Sequence, residues 1–358
     1  MNKKEIKIEE LGYDEFFQIN YDKLKLNGSS VARVIAEHKG AYKIKNENGE
    51  YLGKVTGKKM FDALSREDYP AVGDWVVVTE LNEDQAVILQ TLPRKTILKR
   101  KYNNKMATQI IATNIDVVFI VESIGRDFSL NRFERYFAMA KDGGVKPVIV
   151  LNKIDLISKE ELELKSKEIK ERFPEIDFIP VSAVSEKGLD NLKNYIEKGK
   201  TYCFLGSSGV GKSSLINELL KKDIIKTETV SSYNDRGKHA TTNRQMYFLE
   251  NGGIVIDNPG TREVGMADVN EGIDDLFDKI TEWSKECKYV DCAHIHEPEC
   301  RVLLALKNGE LSEEQYLNYI NLKKEADFFK LNKHGKREKN HQFGKLIKSA
   351  KKNLDKSN

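Results

Sequence analysis

Residues 206–213, Gly206-Ser207-Ser208-Gly209-Val210-Gly211-Lys212-Ser213, fit the pattern GxxxxGK[ST]. They follow an apolar run, YCFL, and open a segment of helical spacing, SSLINELL. Strand, glycine-rich loop and helix in that order make a phosphate-binding loop. The glycines let the backbone curl until its N–H groups converge on phosphate oxygens. The helix that follows aims its positive end at the same point. Lys212 is expected to reach the β- and γ-phosphates, the Ser213 hydroxyl to meet Mg2+, and Ser214 to belong to the nucleotide-binding set.

Outward from this loop the chain keeps an α/β texture. VVFIVES (117–123) and VKPVIVLNK (145–153) are continuous apolar runs, as expected of strands buried on both faces. LNRFERYFAMAKD (130–142) and residues 159 to 172 have the character of helices, and FIPVSA (178–183) is a further strand. Alternating strands and helices predict a mostly parallel, doubly wound sheet. Ligands of such sheets sit beyond the carboxyl ends of the strands, and every motif below falls at such an end.

Asn152-Lys153-Ile154-Asp155 follows the strand PVIVL and has the NKxD pattern. A carboxylate at Asp155 can accept from both the N1–H and the exocyclic amine of guanine. Adenine has no donor at N1, so it would leave a polar site unpaired, a penalty of roughly 2–5 kcal/mol. Asn152 is expected to tie the neighbouring loops together, and Lys153 to lie over the base. Ser182-Ala183 supplies the companion loop, whose backbone meets guanine O6.

Asp257-Asn258-Pro259-Gly260 ends the strand GGIVI. Asp257 is expected to hold Mg2+ through water, and the Gly260 N–H to read the γ-phosphate. Upstream, SSYNDRGKHATTN lacks apolar periodicity and suits a switch whose Thr241 or Thr242 meets Mg2+. Thr261 stands where many GTPases place a water-orienting Gln, so slow intrinsic hydrolysis and stimulation by a partner are expected. His239 is a candidate for positioning water, against a purely structural role in the switch.

The order of these motifs is rotated. NKxD and SA precede the phosphate loop, as they would if the parallel sheet had been cut and rejoined elsewhere. The chain after DNPG then runs straight into whatever follows, which would let a C-terminal domain sense the nucleotide.

That C-terminal region carries Cys287-x4-Cys292-x-His294-x5-Cys300, holding three of the chain's 4 cysteines. Three thiolates and an imidazole suit a closed, structural, tetrahedral Zn2+ site. His296 and Asp291 are alternatives to His294. Residues 272 to 330 otherwise have helical character. At the other end, five short alternating segments from about Ser29 to Gln90 predict a small barrel, an OB-fold first and an SH3-like barrel second. PRKTILKRKYNNK (93–105) reads as a basic linker.

Composition sets the outer limits. The 358 residues are 39% hydrophobic and 32% charged, with neither an apolar run long enough to span a membrane nor a secretory leader. A cytoplasmic protein is expected. The net charge of +3 hides an asymmetry: residues 321 to 358 hold 12 Lys and Arg against 4 Asp and Glu. A basic tail on an acidic body points to a polyanionic partner or to a merely solvated tail.

NKID, SA, GSSGVGKS, GKHATT, DNPG and CxxxxCxHxxxxxC occur in that order behind the barrel. The set resembles the circularly permuted ribosome-small-subunit-dependent GTPase A family (RsgA, also called YjeQ or EngC), over about residues 28 to 330. Ala240 departs from the family's usual run of threonines, and DNPG replaces the more frequent DTPG. The resemblance implies an N-terminal extension and OB-fold barrel (1–95), a central α/β P-loop GTPase domain with circularly permuted motifs (96–268), and a mainly helical zinc-binding domain with a basic tail (269–358). It also implies GTP/GDP with Mg2+, one structural Zn2+, and hydrolysis stimulated by the small ribosomal subunit during its late maturation. Contact with rRNA is implied too. Neither DNA nor membrane is an expected partner, and a monomer is expected. The readings that compete with it are an RNA-binding scaffold with a structural nucleotide site and an ATP-dependent zinc protein.

Overall fold

The computed structural model describes residues 6–38, 40–57, 61, 63, 65–101, 108–125, 128–222, 225, 244–258 and 270–330. A short helix, α1 (Glu15–Asp22), leads in, capped by the Asp14 carboxylate accepting from Phe16 N at 3.1 Å. Five strands follow: β1 (Ser30–His38), β2 (Ala41–Lys45), β3 (Glu50–Val55), β4 (Trp75–Glu80) and β5 (Gln85–Thr91). They bond in the order β1-β2-β3-β5-β4, and β4 returns to β1, so the sheet closes into a barrel. The crossing of β3 onto β5 is parallel and the other pairings are antiparallel, which decides for the OB-fold over the SH3-like alternative. Ala32, Val34, Ile44, Val76, Val78 and Ile88 fill its interior, the inward set of strands that alternate in and out. At its rim the Glu80 carboxylate accepts from Ser30 Oγ (3.0 Å), Asn46 Nδ2 (2.8 Å), Asn48 Nδ2 (3.3 Å) and Tyr51 Oη (3.0 Å).

The stretch expected to be a linker is instead built into the fold. β6 (Ile97–Lys101) pairs antiparallel with β7 (Thr108–Thr113), and Leu98 is fully buried. Arg94 meets the buried Asp74 carboxylate through two hydrogen bonds of 2.8 and 2.7 Å. Cationic residues hid the period-2 pattern, and their heads are bonded within the fold: Lys99 Nζ donates to Glu67 Oε2 at 2.9 Å and Arg100 Nε to Gln109 Oε1 at 3.0 Å.

The nucleotide-type sheet contains β8 (Val117–Ser123), then α2 (Leu130–Asp142), β9 (Lys146–Asn152), α3 (Lys159–Arg172), β10 (Asp177–Pro180), α4 (Leu189–Tyr195), β11 (Thr201–Leu205), α5 (Lys212–Leu220), β12 (Gln245–Phe248) and β13 (Ile254–Asp257). Spatial order is β10-β9-β8-β11-β13-β12, parallel except for β12. The five parallel strands therefore end on one edge. Phe119, Val121, Val150, Phe204, Leu215 and Val255 belong to the core behind that edge.

Barrel and sheet lie in one compact unit and, among the described residues, are joined by one strand pairing, Ala36 opposite Gln245. A buried guanidinium adds to that joint. Arg33 donates to Leu11 O of the lead-in, to Gly73 O of the barrel at 3.4 Å and to Asn114 O, in the link between β7 and β8, at 3.0 Å. Burial pushes its pKa down to about 10, against the pull of Asp116 and Asp74.

The second unit comprises residues 131–142, most of α2, with the described part of 266–358. Its further helices are α6 (Asn270–Leu276), α7 (Asp278–Lys285), α8 (Arg301–Lys307) and α9 (Glu313–Lys330). Arg135 of α2 grips Glu325 of α9 with two bonds of 3.0 and 2.6 Å. Gly272 of α6 sits so close to α2 that a Cβ there would meet Ala138 O at 2.1 Å. Among the described residues no helix is long and apolar enough to cross a membrane.

Candidate functional site

β11 delivers the chain at Leu205 to the glycine loop. Gly206, Gly209 and Gly211 have φ of 149°, 82° and 97°, a region that L side chains rarely adopt. Two of them also have no room for a side chain. A Cβ on Gly206 would lie 2.2 Å from Val121 O of β8, and one on Gly211 would lie 2.2 Å from Asn152 Nδ2. Lys212 opens α5 with its side chain buried, and its Nζ donates to Gly206 O (2.9 Å) and Ser207 O (2.7 Å). Ser213 and Ser214 follow in the first turn, half-buried, and Val210 packs into the core beneath the loop. Burial lowers the Lys212 pKa to about 8, while Asp257 and Glu122 pull it upward.

Those two carboxylates come from the strands on either side of β11: Asp257 ends β13, and Glu122 lies one residue from the end of β8. Glu122 went unnoticed in the sequence, although an acid closing the apolar run VVFIV was a usable signal. Asp257 is 5% exposed, burial raises its pKa against the pull of Lys212, and its Oδ1 has no hydrogen-bond partner among the described residues. An orphaned buried carboxylate oxygen at the end of β13 and a serine hydroxyl in the first turn of α5 are the donor chemistry that a hard cation such as Mg2+ takes.

The base-reading motif meets the phosphate loop directly. Ser123 of β8 pairs with Asn152 at the end of β9, which fixes Asn152 beside the loop. Its Nδ2 donates to Val210 O at 2.8 Å, and its Oδ1 accepts from Ala183 N at 3.3 Å. One buried amide thus connects three motifs. Lys153 takes the left-handed conformation (φ 63°), and its Nζ donates to Gly209 O at 2.7 Å. Asp155 is exposed and accepts from Ser182 Oγ, which also accepts from Ser185 N at 3.0 Å. His239, Thr241, Thr242, Gly260 and Thr261 lie outside the described residues.

In the second unit the ligand atoms of Cys287, Cys292, His294 and Cys300 all lie within 4.8 Å of one another. His294 Nδ1 is 3.6 Å from Cys287 Sγ and 3.4 Å from Cys300 Sγ. His294 is buried, in the left-handed region, with its carbonyl accepting from Tyr316 Oη at 2.7 Å. His296 and Asp291 are outside the cluster. The Glu297 carboxylate accepts from the backbone N–H groups of Ala293 (3.0 Å), Ile295 (2.9 Å) and His296 (3.1 Å), which locks the turn that presents His294. Cys300 caps α8 by accepting from Leu303 N at 3.5 Å. Burial raises the pKa of the Cys292 and Cys300 thiols when no cation lies among them. The set can hold one structural zinc, with no position left over for catalysis.

Similarity to known proteins agrees with this geometry. Residues 91–267 match the family described as RsgA GTPase. The chain is 38% identical over 327 residues, 90% of each chain, to a protein of Bacteroides thetaiotaomicron named small ribosomal subunit biogenesis GTPase RsgA 1. It is 42% identical over 279 residues, 77% of this chain and 75% of the other, to small ribosomal subunit biogenesis GTPase RsgA of Methanosarcina acetivorans. Among solved structures, YjeQ from Thermotoga maritima aligns with a TM-score of 0.60 at 28% identity, over 83% of this chain and 98% of that one. YloQ, described as a circularly permuted GTPase, shares the fold at a TM-score of 0.58 and 22% identity, over 86% of this chain and 98% of that one.

Proposed function

The chain belongs to the RsgA GTPase family, and we propose that it hydrolyses GTP in the biogenesis of the small ribosomal subunit, late in maturation, with the subunit accelerating hydrolysis and hydrolysis timing release. The observation that carries this reading is Asn152, whose one amide holds the phosphate loop and the base-reading loop together. A site so tied reads phosphate and base as one ligand. Asp155 accepts the two guanine donors, Ser182 orients Asp155, and the backbone of the Ser182-Ala183 loop meets guanine O6. The loop N–H groups and Lys212, released from the carbonyls of Gly206 and Ser207, take the phosphates. Ser213, Asp257 and one of Thr241 and Thr242 hold Mg2+, which neutralises phosphate charge when bound. Gly260 reads the γ-phosphate, and His239 is the group offered for positioning water. The zinc of Cys287, Cys292, His294 and Cys300 is structural. We place the protein in the cytoplasm, acting as a monomer on rRNA rather than on DNA or membrane.

The test is GTP turnover by wild type and Lys212→Ala, with and without purified small subunits. Stimulation of about tenfold or more in wild type, lost in the variant, is expected. Turnover that subunits leave unchanged would overturn the reading and leave an RNA-binding scaffold.

A further inference from the structure

At the seam of barrel and sheet two strand registers run in line. Ala36 of β1 stands opposite Gln245 of β12, and Gln245 stands opposite Asp257, the last residue of β13. Both pairings are antiparallel, so one step outward along them sets Glu37 opposite Arg244 and Arg244 opposite Asn258. Residues directly opposite share a face, and their side chains can meet. Here Arg244 Nε donates to Asn258 Oδ1 at 3.3 Å, and its Nη1 lies 3.9 Å from Glu37 Oε2. The Arg244 side chain is 11% exposed and Asn258 is buried, whereas Glu37 reaches solvent.

The aim of the Asp257 carboxylate depends on what fixes the chain around it. Its Oδ1 has no hydrogen-bond partner among the described residues, so no bond at that atom directs it. The parallel register of β13 on β11 ends at Ile256 opposite Cys203, while Asp257 is paired on the β12 side. The next residue is Asn258, and its side chain is the one Arg244 holds. Two donors of one planar guanidinium thus face a barrel strand and the residue that follows Asp257.

We propose that Arg244 is a positioning residue for the Mg2+ end of the nucleotide site: braced on Glu37 of the barrel, it holds Asn258 and thereby fixes the backbone from which Asp257 presents its free oxygen. This role rests on the function proposed above, in which Asp257 takes Mg2+. Through Glu37 the barrel becomes part of the nucleotide site. A segment that must be gathered before it can take a cation binds that cation more weakly, since ordering costs entropy. Metal-free nucleotide makes no demand on Asp257, so Arg244 matters for the magnesium complex and not for the bare nucleotide.

The experiment titrates a non-hydrolysable GTP analogue into wild type, Arg244→Gln, Arg244→Lys, Asn258→Ala, Glu37→Gln and Arg244→Gln/Asn258→Ala. Each titration is run with excess Mg2+ and again with EDTA, beside thermal unfolding of the same sample. The quantity read is the ratio of the two affinities. A hydrogen bond from a charged donor, here a long one, sets the expected loss in that ratio at about tenfold for Arg244→Gln and for Asn258→Ala. The double variant should lose no more than either single one, because all three remove the same bond. Arg244→Lys should resemble Arg244→Gln, since an ammonium lacks the second donor in its fixed place. Glu37→Gln removes a partly exposed ion pair and should cost about two- to threefold. Affinity in EDTA should stay as in wild type. Unchanged ratios, or losses that add in the double variant, overturn this role alone and leave the parent reading standing. Equal losses with and without Mg2+ assign the bond to loop stability and overturn the role too. If Arg244→Gln unfolds, Asn258→Ala and Glu37→Gln decide by the same ratio. Wild type whose affinity ignores Mg2+ overturns the parent reading of Asp257, and this role with it.

Discussion

Asn152→Ala removes the buried side chain that, beside Lys153, holds the phosphate loop to the base-reading loop. It takes away a 2.8 Å bond to Val210 O and a 3.3 Å bond from Ala183 N, both made by a side chain that is 1% exposed. A buried polar group left unpaired costs about 1–3 kcal/mol, so two groups bracket about 2–6 kcal/mol. The site lies at the open edge of the sheet, where water can reach part of the vacated space, and about 2–3 kcal/mol is the better figure. How the cost divides depends on the loops. If they stay in place, the folded state bears it and unfolding becomes easier. If they part to find water, GTP must gather them again, and affinity falls by roughly 30- to 150-fold. Denaturant unfolding and GTP titration on the same samples capture both shares. Asn152→Asp keeps an acceptor for Ala183 N but turns a carboxylate oxygen toward Val210 O, and should lose at least as much. The reasoning is refuted if Asn152→Ala leaves GTP affinity within about threefold and unfolding within about 0.5 kcal/mol of wild type.

Three further outcomes are expected. Asp155→Asn exchanges an acceptor for a donor facing the two donors of guanine. GTP should bind about 30-fold or more weakly, while xanthosine triphosphate, with a carbonyl in place of the amine, should become the better ligand in a competition assay. Cys300→Ser removes a thiolate and the sulfur cap of α8, so bound zinc should fall well below one per chain and residues 270–330 should lose amide protection while GTP still binds; full zinc content would contradict the ligand assignment. In the barrel, burial raises the Glu80 pKa, but hydrogen bonds from Asn46, Ser30, Tyr51 and Asn48 outweigh this and hold it below its ordinary 4.5. The stability it contributes is present above pH 4.5 and is lost as pH falls through the lowered value, so Glu80→Gln should flatten the acid limb of a stability–pH curve, and an unchanged limb would refute the assignment.

The legible parts of the site were those encoded over short distances. Gly206, Gly209 and Gly211 announce a loop because their backbone angles exclude other residues, and that demand is local. The zinc set was legible because four ligands crowd into one short stretch. His294 rather than His296 or Asp291 needed the turn held by Glu297, which spacing alone does not reveal. The β6–β7 hairpin was missed because its basic side chains masked a strand that Leu98 and its partners bury. Arg244 was invisible because nothing near it in sequence says that it will meet Glu37 of β1 and Asn258 beyond β13.

The sequence by itself pointed to the chemistry: a phosphate loop, a loop expected to read guanine, an aspartate expected to meet Mg2+ and four clustered metal-type ligands, each written in a few consecutive residues. Tertiary structure alone decided how these parts are held. It closed the barrel in OB order, joined barrel to sheet where Ala36 pairs with Gln245, and ran Arg33 between Leu11, Gly73 and Asn114. It also grouped helix α2 with the C-terminal helices. The physical reason is range. A loop conformation is set by the sterics of its own residues, whereas a bond from Arg33 to Asn114 spans 81 positions and exists only where the burial of many other side chains has already brought both ends together.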